Sequence, residues 1–521
     1  MVACLNHIFM KLFLILTCCF LTACIPMQQR SAILVRGPYL QMVGKDRATV
    51  RWRTHRATDS KIEVGEQHGQ YQWATTHPLV TTEHEVTITG LRPDTRYYYR
   101  FGSSQRVIQE GKRNFFHTAP LPNADKKIQI AVFGDCGRNY FDYQLSTLRA
   151  YRKYTRAAPA QLLLLLGDNA YYKGTDRQYQ RRFFNIYGKT ILKHHALFPV
   201  PGNHDYYSGT PMSRDLAYYK SFTLPQHGEL GGVPSGTEAY YSYNWGNIHF
   251  VSLDSHGTED GGTTRLFDTT GAQVQWLKKD LENNRQLWTI VSFHHPPYSK
   301  GSHDADTESD LIHLRTWLNP ILERYGVDLV MSGHSHNYER SYPLHNYYGK
   351  EKDFVPSIHS ASLLSGRYGA EANTCPYTMT GRPGSGTIYV VSGSSGAGGD
   401  KEKSYPHDAM PFSIHDGGMF YIEVEGNRLD AKFIRRNGKV ADQFTLMKGV
   451  NKVNHVLLQQ GFPAQLKASW SGDYQWSTGN TAQSIELTPQ KDTTLIVRDS
   501  YACLADTFHI KVYPAPLQRD H

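Results

Sequence analysis

Several short apolar runs of this chain stop at a side chain able to hold a cation. Asp135 follows "IAVFG", Asp168 follows "LLLLLG", and Asn203 with His204 follows "LFPVPG". His294 follows "TIVSF", and His334 and His336 follow "DLVMSG". Tyr171 stands three residues after Asp168. In α/β sheets, sites form beyond the carboxyl ends of strands, where loops from several strands present side chains to one place. Carboxylates, imidazoles, an amide oxygen and a phenol suit Fe, Mn and Zn better than soft metals. One ion would not use so many groups, so the set fits two ions sharing a bridging carboxylate. Paired ions ~3.5–4 Å apart clamp the attacking and leaving oxygens of an in-line displacement. Phosphoryl transfer depends on that charge neutralisation more than on covalent help.

These runs must sit in a sheet that points them one way. From 126 to 448, apolar runs alternate with helix-like stretches, the pattern of an α/β domain with buried strands flanked by helices. The segment 270–284 has helical spacing at Val274, Leu277 and Leu281. Before it, residues 34–119 alternate with period two, as in "ATVRWRT", and turn at Gly and Pro, which predicts a small all-β sandwich. After it, residues 449–521 read as a small C-terminal all-β sandwich. With 521 residues, 40% hydrophobic and 20% charged, the chain can build a core in each of these domains. The net charge of +9 is scattered, a mild attraction for anions and no nucleic-acid footprint.

In order along the chain, Asp135-Cys-Gly137, Gly167-Asp168-x-x-Tyr171, Gly202-Asn203-His204-Asp205, Val291-x-x-His294 and Gly333-His334-x-His336 resemble the five blocks of the purple acid phosphatases, calcineurin-like metallophosphoesterases. Leu91-x-Pro93-x-Thr95-x-Tyr97 looks like the tyrosine corner of fibronectin type III domains. With that sandwich, the resemblance covers 36–448. It implies that Asp135, Tyr171 and His336 hold Fe(III). Asn203, His294 and His334 would hold a divalent Zn, Mn or Fe, and Asp168 would bridge. The implied reaction is hydrolysis of phosphate monoesters at acidic pH by metal-bound hydroxide, the substrate being a phosphorylated small molecule. Tyr171 is diagnostic, because a phenol of pKa ~10 ligates in acid only when a trivalent ion stabilises the phenolate. His204 matches a histidine that contacts phosphate or protonates the leaving group. Asp205 stands where relatives carry glutamate, and its shorter arm would alter how His204 is oriented. His303 either touches phosphate or is a surface histidine. His295 either packs beside His294 or has a catalytic part.

The N-terminal segment 1–23 reads as a signal peptide, with Lys11, an apolar run and Leu21-Thr22-Ala23-Cys24. The last four residues resemble the bacterial lipobox, which implies lipidation at Cys24. An exported lipoprotein would then sit in the periplasm, the outer membrane or at the cell surface; an uncleaved anchor is the other reading. Three further cysteines, Cys136, Cys375 and Cys503, are widely spaced and predict no disulfide framework.

Other residues carry plainer expectations. Tyr338-Glu339-Arg340 reads as a buried charge pair, Asp254 as a turn or site support, and "GSSGAGG" at 393–399 as a tight backbone turn. Trp470, Tyr474 and Trp476 pack a β-core or line a carbohydrate face. Two other functions remain open: a phosphodiesterase or nucleotide hydrolase with two divalent ions, and a non-catalytic surface binding protein.

Overall fold

Two β-sheets meet face to face at the centre of the chain. The structure, a computed structural model, describes residues 32–514 except 123, 125, 139, 140, 260, 261, 263 and 381–383. The signal segment 1–23 and Cys24 lie outside the described residues.

In the first sheet, strands Ile128–Phe133, Leu162–Leu166 and Ala196–Val200 run parallel. Gly418–Glu425 joins Ile128–Phe133 antiparallel, and Arg428–Arg435 and Val440–Lys448 extend that side. In the second sheet, Ile248–Ser252, Trp288–Ser292, Leu329–Ser332 and Ile388–Ser392 are parallel neighbours. Strands of this kind are covered on both faces, so they read as unbroken apolar runs. All five leucines of Leu162–Leu166 are buried. Each contributes about 1.5–3 kcal/mol by leaving water.

Stacked rings join the inner faces: Phe198 lies on Tyr243 with centroids 3.8 Å apart, and Tyr338 on Phe433 at 4.3 Å. The helix Ala272–Asn283 turns Val274, Leu277 and Leu281 onto the outer face of the second sheet, against Val251, Val291 and Val330. The helix Phe141–Tyr154 covers the first sheet, with the Tyr154 ring edge-on to Tyr421 at 5.3 Å.

The N-terminal β-domain is folded through one long strand, Arg47–Gly65. Its first part pairs with Leu34–Gln41, its last with Arg96–Gly102, and register shifts between Arg53 and Ser60 separate the two. Tyr97 is fully buried, and its hydroxyl accepts from the Arg92 amide at 2.9 Å, the corner its spacing predicts. The domain is not free-standing. Leu40 pairs with Ala196, which makes its sheet continuous with the first central sheet through a single register position. Arg36, also buried, crosses the same boundary. It donates to Asp176 at 2.7 Å and Ser221 at 3.1 Å and lies over the Phe184 ring at 4.2 Å.

The C-terminal module has a four-stranded and a two-stranded sheet. Trp470 and Trp476 are buried in its core. Both pack the β-core. Among the described residues, no helix is long and apolar enough to cross a membrane.

Two expectations need correction. Glu339 and Arg340 are both buried, but not paired. Arg340 makes a two-pronged contact with Asp442 at 2.6 and 3.0 Å, and Glu339 accepts from Ser299 and the Lys300 amide. Successive strand residues face opposite ways, so neighbours in sequence found partners on opposite sides. The cysteines also carry a bond: Cys375 and Cys503, 128 residues apart, form a disulfide that ties the central domain to the C-terminal module. Cys136 alone of the three stays free, and it is buried. Closing so long a loop restricts the unfolded chain. Cys375→Ser is therefore expected to cost about 2–5 kcal/mol. The check is a lowered thermal midpoint that reductant reproduces in the wild-type chain and leaves unchanged in the variant.

Candidate metal centre

Three of the candidate ligands sit at the same local turn. Asp135, Asp168 and His334 each follow a glycine at a strand end, and each has a left-handed backbone, with φ of 53°, 53° and 66°. Such conformations cost of order 1–3 kcal/mol and persist where the surroundings hold them. The turn aims each side chain across the gap between the two sheets. The preceding glycines leave no room for a Cβ. At Gly167, with φ +88°, an added Cβ would lie 2.5 Å from His294 Nδ1; at Gly333 it would lie 2.5 Å from Asp135 Oδ2.

The seven candidates Asp135, Asp168, Tyr171, Asn203, His294, His334 and His336 converge there from both sheets, in two adjoining groups. In the first, the Tyr171 hydroxyl donates to Asp135 Oδ1 at 2.8 Å and lies 3.0 Å from His336 Nε2, which is 3.2 Å from that same carboxylate. In the second, His294 Nε2 lies 2.9 Å from Asn203 Oδ1, 3.2 Å from His334 Nδ1 and 3.4 Å from Asp168 Oδ1. His294 Nδ1 faces the Leu166 carbonyl at 2.8 Å and so carries the hydrogen. The backbone amides of His334 and His204 hold Asp135 and Asp168 in place, each at 2.9 Å. Ligand atoms of Asp135, Asp168 and His294 all lie within 4.8 Å of one another.

This donor set fits a pair of cations. Carboxylate oxygens, an amide oxygen and imidazole lone pairs are acceptors, crowded in a buried place that favours positive charge between them. By themselves the side chains balance the crowding with a proton. Burial opposes charge on His294, but the Asp168 carboxylate outweighs it and pushes the imidazole up to about 9. Burial also opposes charge on Asp168, and there His294 prevails and holds the carboxyl well below its usual range. Burial, followed by the Asp135 and Asp168 carboxylates, pushes the Tyr171 phenol far above its ordinary value.

Around the cluster, His204 is half-buried. Its Nδ1 faces the Tyr172 carbonyl at 2.7 Å, and its ring lies 4.2 Å from Tyr171 and 4.7 Å from Tyr207. His303 stacks on His334 at 3.7 Å, and its Nδ1 meets both oxygens of Glu308, at 2.9 and 3.0 Å. His295 is buried, with Nδ1 2.8 Å from Ser255 Oγ and its ring 4.4 Å from His334. A cavity of about 520 Å³ opens over these groups, lined also by Tyr207, His256, Glu308 and Asp310.

Asp205 does not orient His204. Its carboxylate turns inward, accepting from the Gly202 amide at 2.9 Å, Tyr179 Oη at 2.7 Å and Asn169 Nδ2 at 3.0 Å. It thereby braces the turn carrying Asn203 against the loop carrying Asp168, and burial followed by Asp168 pushes it up to about 7. Asp254 closes a turn through the amides of His256 and Gly257. The 393–399 turn backs the site: a Cβ on Gly393 would lie 2.8 Å from Asp135 Oδ2. Nothing in the sequence marks Glu308, Tyr207 or His256. Glu308 sits five residues past His303, outside any block of spaced ligands, and only the fold brings it back.

A family model described as calcineurin-like phosphoesterase matches residues 128–338, and one described as purple acid phosphatase, N-terminal domain, matches residues 35–118. The chain is 31% identical over 290 residues to "Purple acid phosphatase 15" of Arabidopsis thaliana, covering 51% of this chain and 50% of that protein. It is 27% identical over 439 residues to "Acid phosphatase type 7" of Danio rerio, covering 77% and 88%. It spans about half the length of the first of these relatives. The fold resembles that of the purple acid phosphatase PPD1 from yellow lupin seeds, with a TM-score of 0.59 at 20% identity, covering 79% of this chain and 74% of that one.

Gly167→Ala is expected to displace the His294 ring, lower stability by roughly 1–2 kcal/mol and reduce cation uptake. Thermal denaturation and metal content of the purified variant check both effects. In its N-terminal domain and the phosphoesterase domain that follows, the chain is similar to the purple acid phosphatases.

Proposed function

We propose that the protein hydrolyses phosphate monoesters in acid at a two-cation centre. The observation that carries this reading is the convergence of buried carboxylate, amide, phenol and imidazole groups into two adjoining sets at the strand ends. Asp135, Tyr171 and His336 are assigned to Fe(III). Asn203, His294 and His334 are assigned to a divalent Zn, Mn or Fe, and Asp168 is shared. Bound there, such a pair supplies the positive charge that offsets the phosphate oxygens and makes water a stronger acid.

The chain's own groups then divide the remaining work. The Tyr172 carbonyl fixes His204 by its Nδ1–H, leaving Nε2 for the ester. From there it can give a proton to the leaving oxygen. Glu308 fixes His303 in the same manner, leaving its Nε2 to donate to a phosphate oxygen. His295 packs against His334 and steadies it. Its Nδ1 is taken by Ser255, which favours support over a direct part in the reaction. The substrate is a phosphorylated small molecule.

Export as a lipoprotein, with lipid on Cys24 and a place in the periplasm, the outer membrane or at the cell surface, rests on Lys11, the apolar run and Leu21-Thr22-Ala23-Cys24. The Cys375–Cys503 bond fits an oxidising compartment.

Purified protein loaded with iron and zinc is expected to release phosphate from a chromogenic phosphomonoester, fastest below neutral pH. Metal-stripped protein is expected to release none. Equal rates with and without metal would sink the two-cation reading. In the visible spectrum the iron-loaded chain should show a phenolate band that Tyr171→Phe abolishes. An active protein with neither iron nor band would remove the Fe(III) assignment.

A further inference from the structure

The one-turn helix Asn203–Tyr206 ends on Tyr207. Tyr207 follows Asn203 by four residues, the spacing at which side chains share a helical face. Asn203 Nδ2 donates to the Tyr207 hydroxyl oxygen at 2.7 Å. The other end of the same amide, Oδ1, lies 2.9 Å from His294 Nε2 within the acceptor cluster. The two ends of a primary amide have nearly the same shape and opposite chemistry. The oxygen has lone pairs for a cation, and the NH2 has only hydrogens to give. A half-turn of the amide would therefore replace a ligand by a repelling group.

We propose that Tyr207 is a positioning residue of the centre: its phenol oxygen takes the Asn203 NH2 and so keeps the amide oxygen aimed at the second cation. This rests on the two-cation reading above. The Tyr207 ring is 49% exposed, so its hydroxyl can be removed without opening the core. Asn203 is 6% exposed and has little water to serve its NH2 instead. Outer partners of this kind typically set metal affinity by ~10–100-fold.

The test is calorimetric titration of metal-stripped protein with Zn²⁺, in wild type, Tyr207→Phe, Asn203→Asp and the double variant. Tyr207→Phe is expected to weaken uptake of the second ion about 10–100-fold, with the first ion and the thermal midpoint unchanged. In the Asn203→Asp background the same change should cost less, because a carboxylate offers an oxygen either way round. Undiminished second-ion affinity, an equal loss at both ions, or an undiminished penalty in the Asn203→Asp background overturns the proposal while wild type still binds two. A wild type that takes up fewer than two ions overturns the two-cation reading and the proposal with it.

Discussion

The crowding of buried polar groups, which only a shared proton or a cation reconciles, is the constraint on which the rest of the molecule depends. His294 Nε2, Asn203 Oδ1, Asp168 Oδ1 and His334 Nδ1 crowd one small volume, and Asp135, His336 and Tyr171 crowd the next. Left alone, such groups would move apart or take up protons. They are held by features with no other evident purpose. The backbone of Asp135, Asp168 and His334 is bent into a costly conformation, and two backbone amides pin the carboxylates. A fold that keeps its strain in one spot, at the ends of two opposed sheets, keeps it where charge is to be bound.

Rigid packing supplies the restraint. Five buried leucines and the stacked pairs between the sheets leave the strand ends little freedom, so small loops can carry opposed charges without drifting. Asp205 completes this from behind. Its carboxylate ties the Asn203 turn to the Asp168 loop through Gly202, Asn169 and Tyr179, so these two members of the second group are held against each other. The N-terminal domain adds to it from the side. Asp176, a few residues past Tyr171, is gripped by both Arg36 and Arg53.

Much of this was readable from residue order. A glycine and then Asp or His at the end of an apolar run is a local pattern, and Asp135, Asp168 and His334 each show it. The tyrosine corner and the helix over Val274, Leu277 and Leu281 are local as well. Contacts between distant segments were not readable. Cys375 and Cys503 meet only because the last module folds back on the central sheet. Arg340 finds Asp442 about a hundred residues on, although Glu339 stands beside it in sequence. Asp205, judged by its neighbour His204, serves the opposite side of its turn. Glu308 and Tyr207 stand in none of the glycine-led turns: the first meets His303 Nδ1 and the second the Asn203 NH2. The boundary of the first domain is blurred for a similar reason: one backbone pairing, Leu40 with Ala196, merges two sheets.

The bond between Cys375 and Cys503 makes a covalent ring of the polypeptide between them. Inside that ring lie the strand Ile388–Ser392, the 393–399 turn that backs Asp135, and the hairpins that finish the first sheet. A protease that nicks an exposed loop within the ring opens the circle but frees no fragment. The severed ends stay attached to both neighbouring domains, and the wall behind the carboxylate remains within reach of its place.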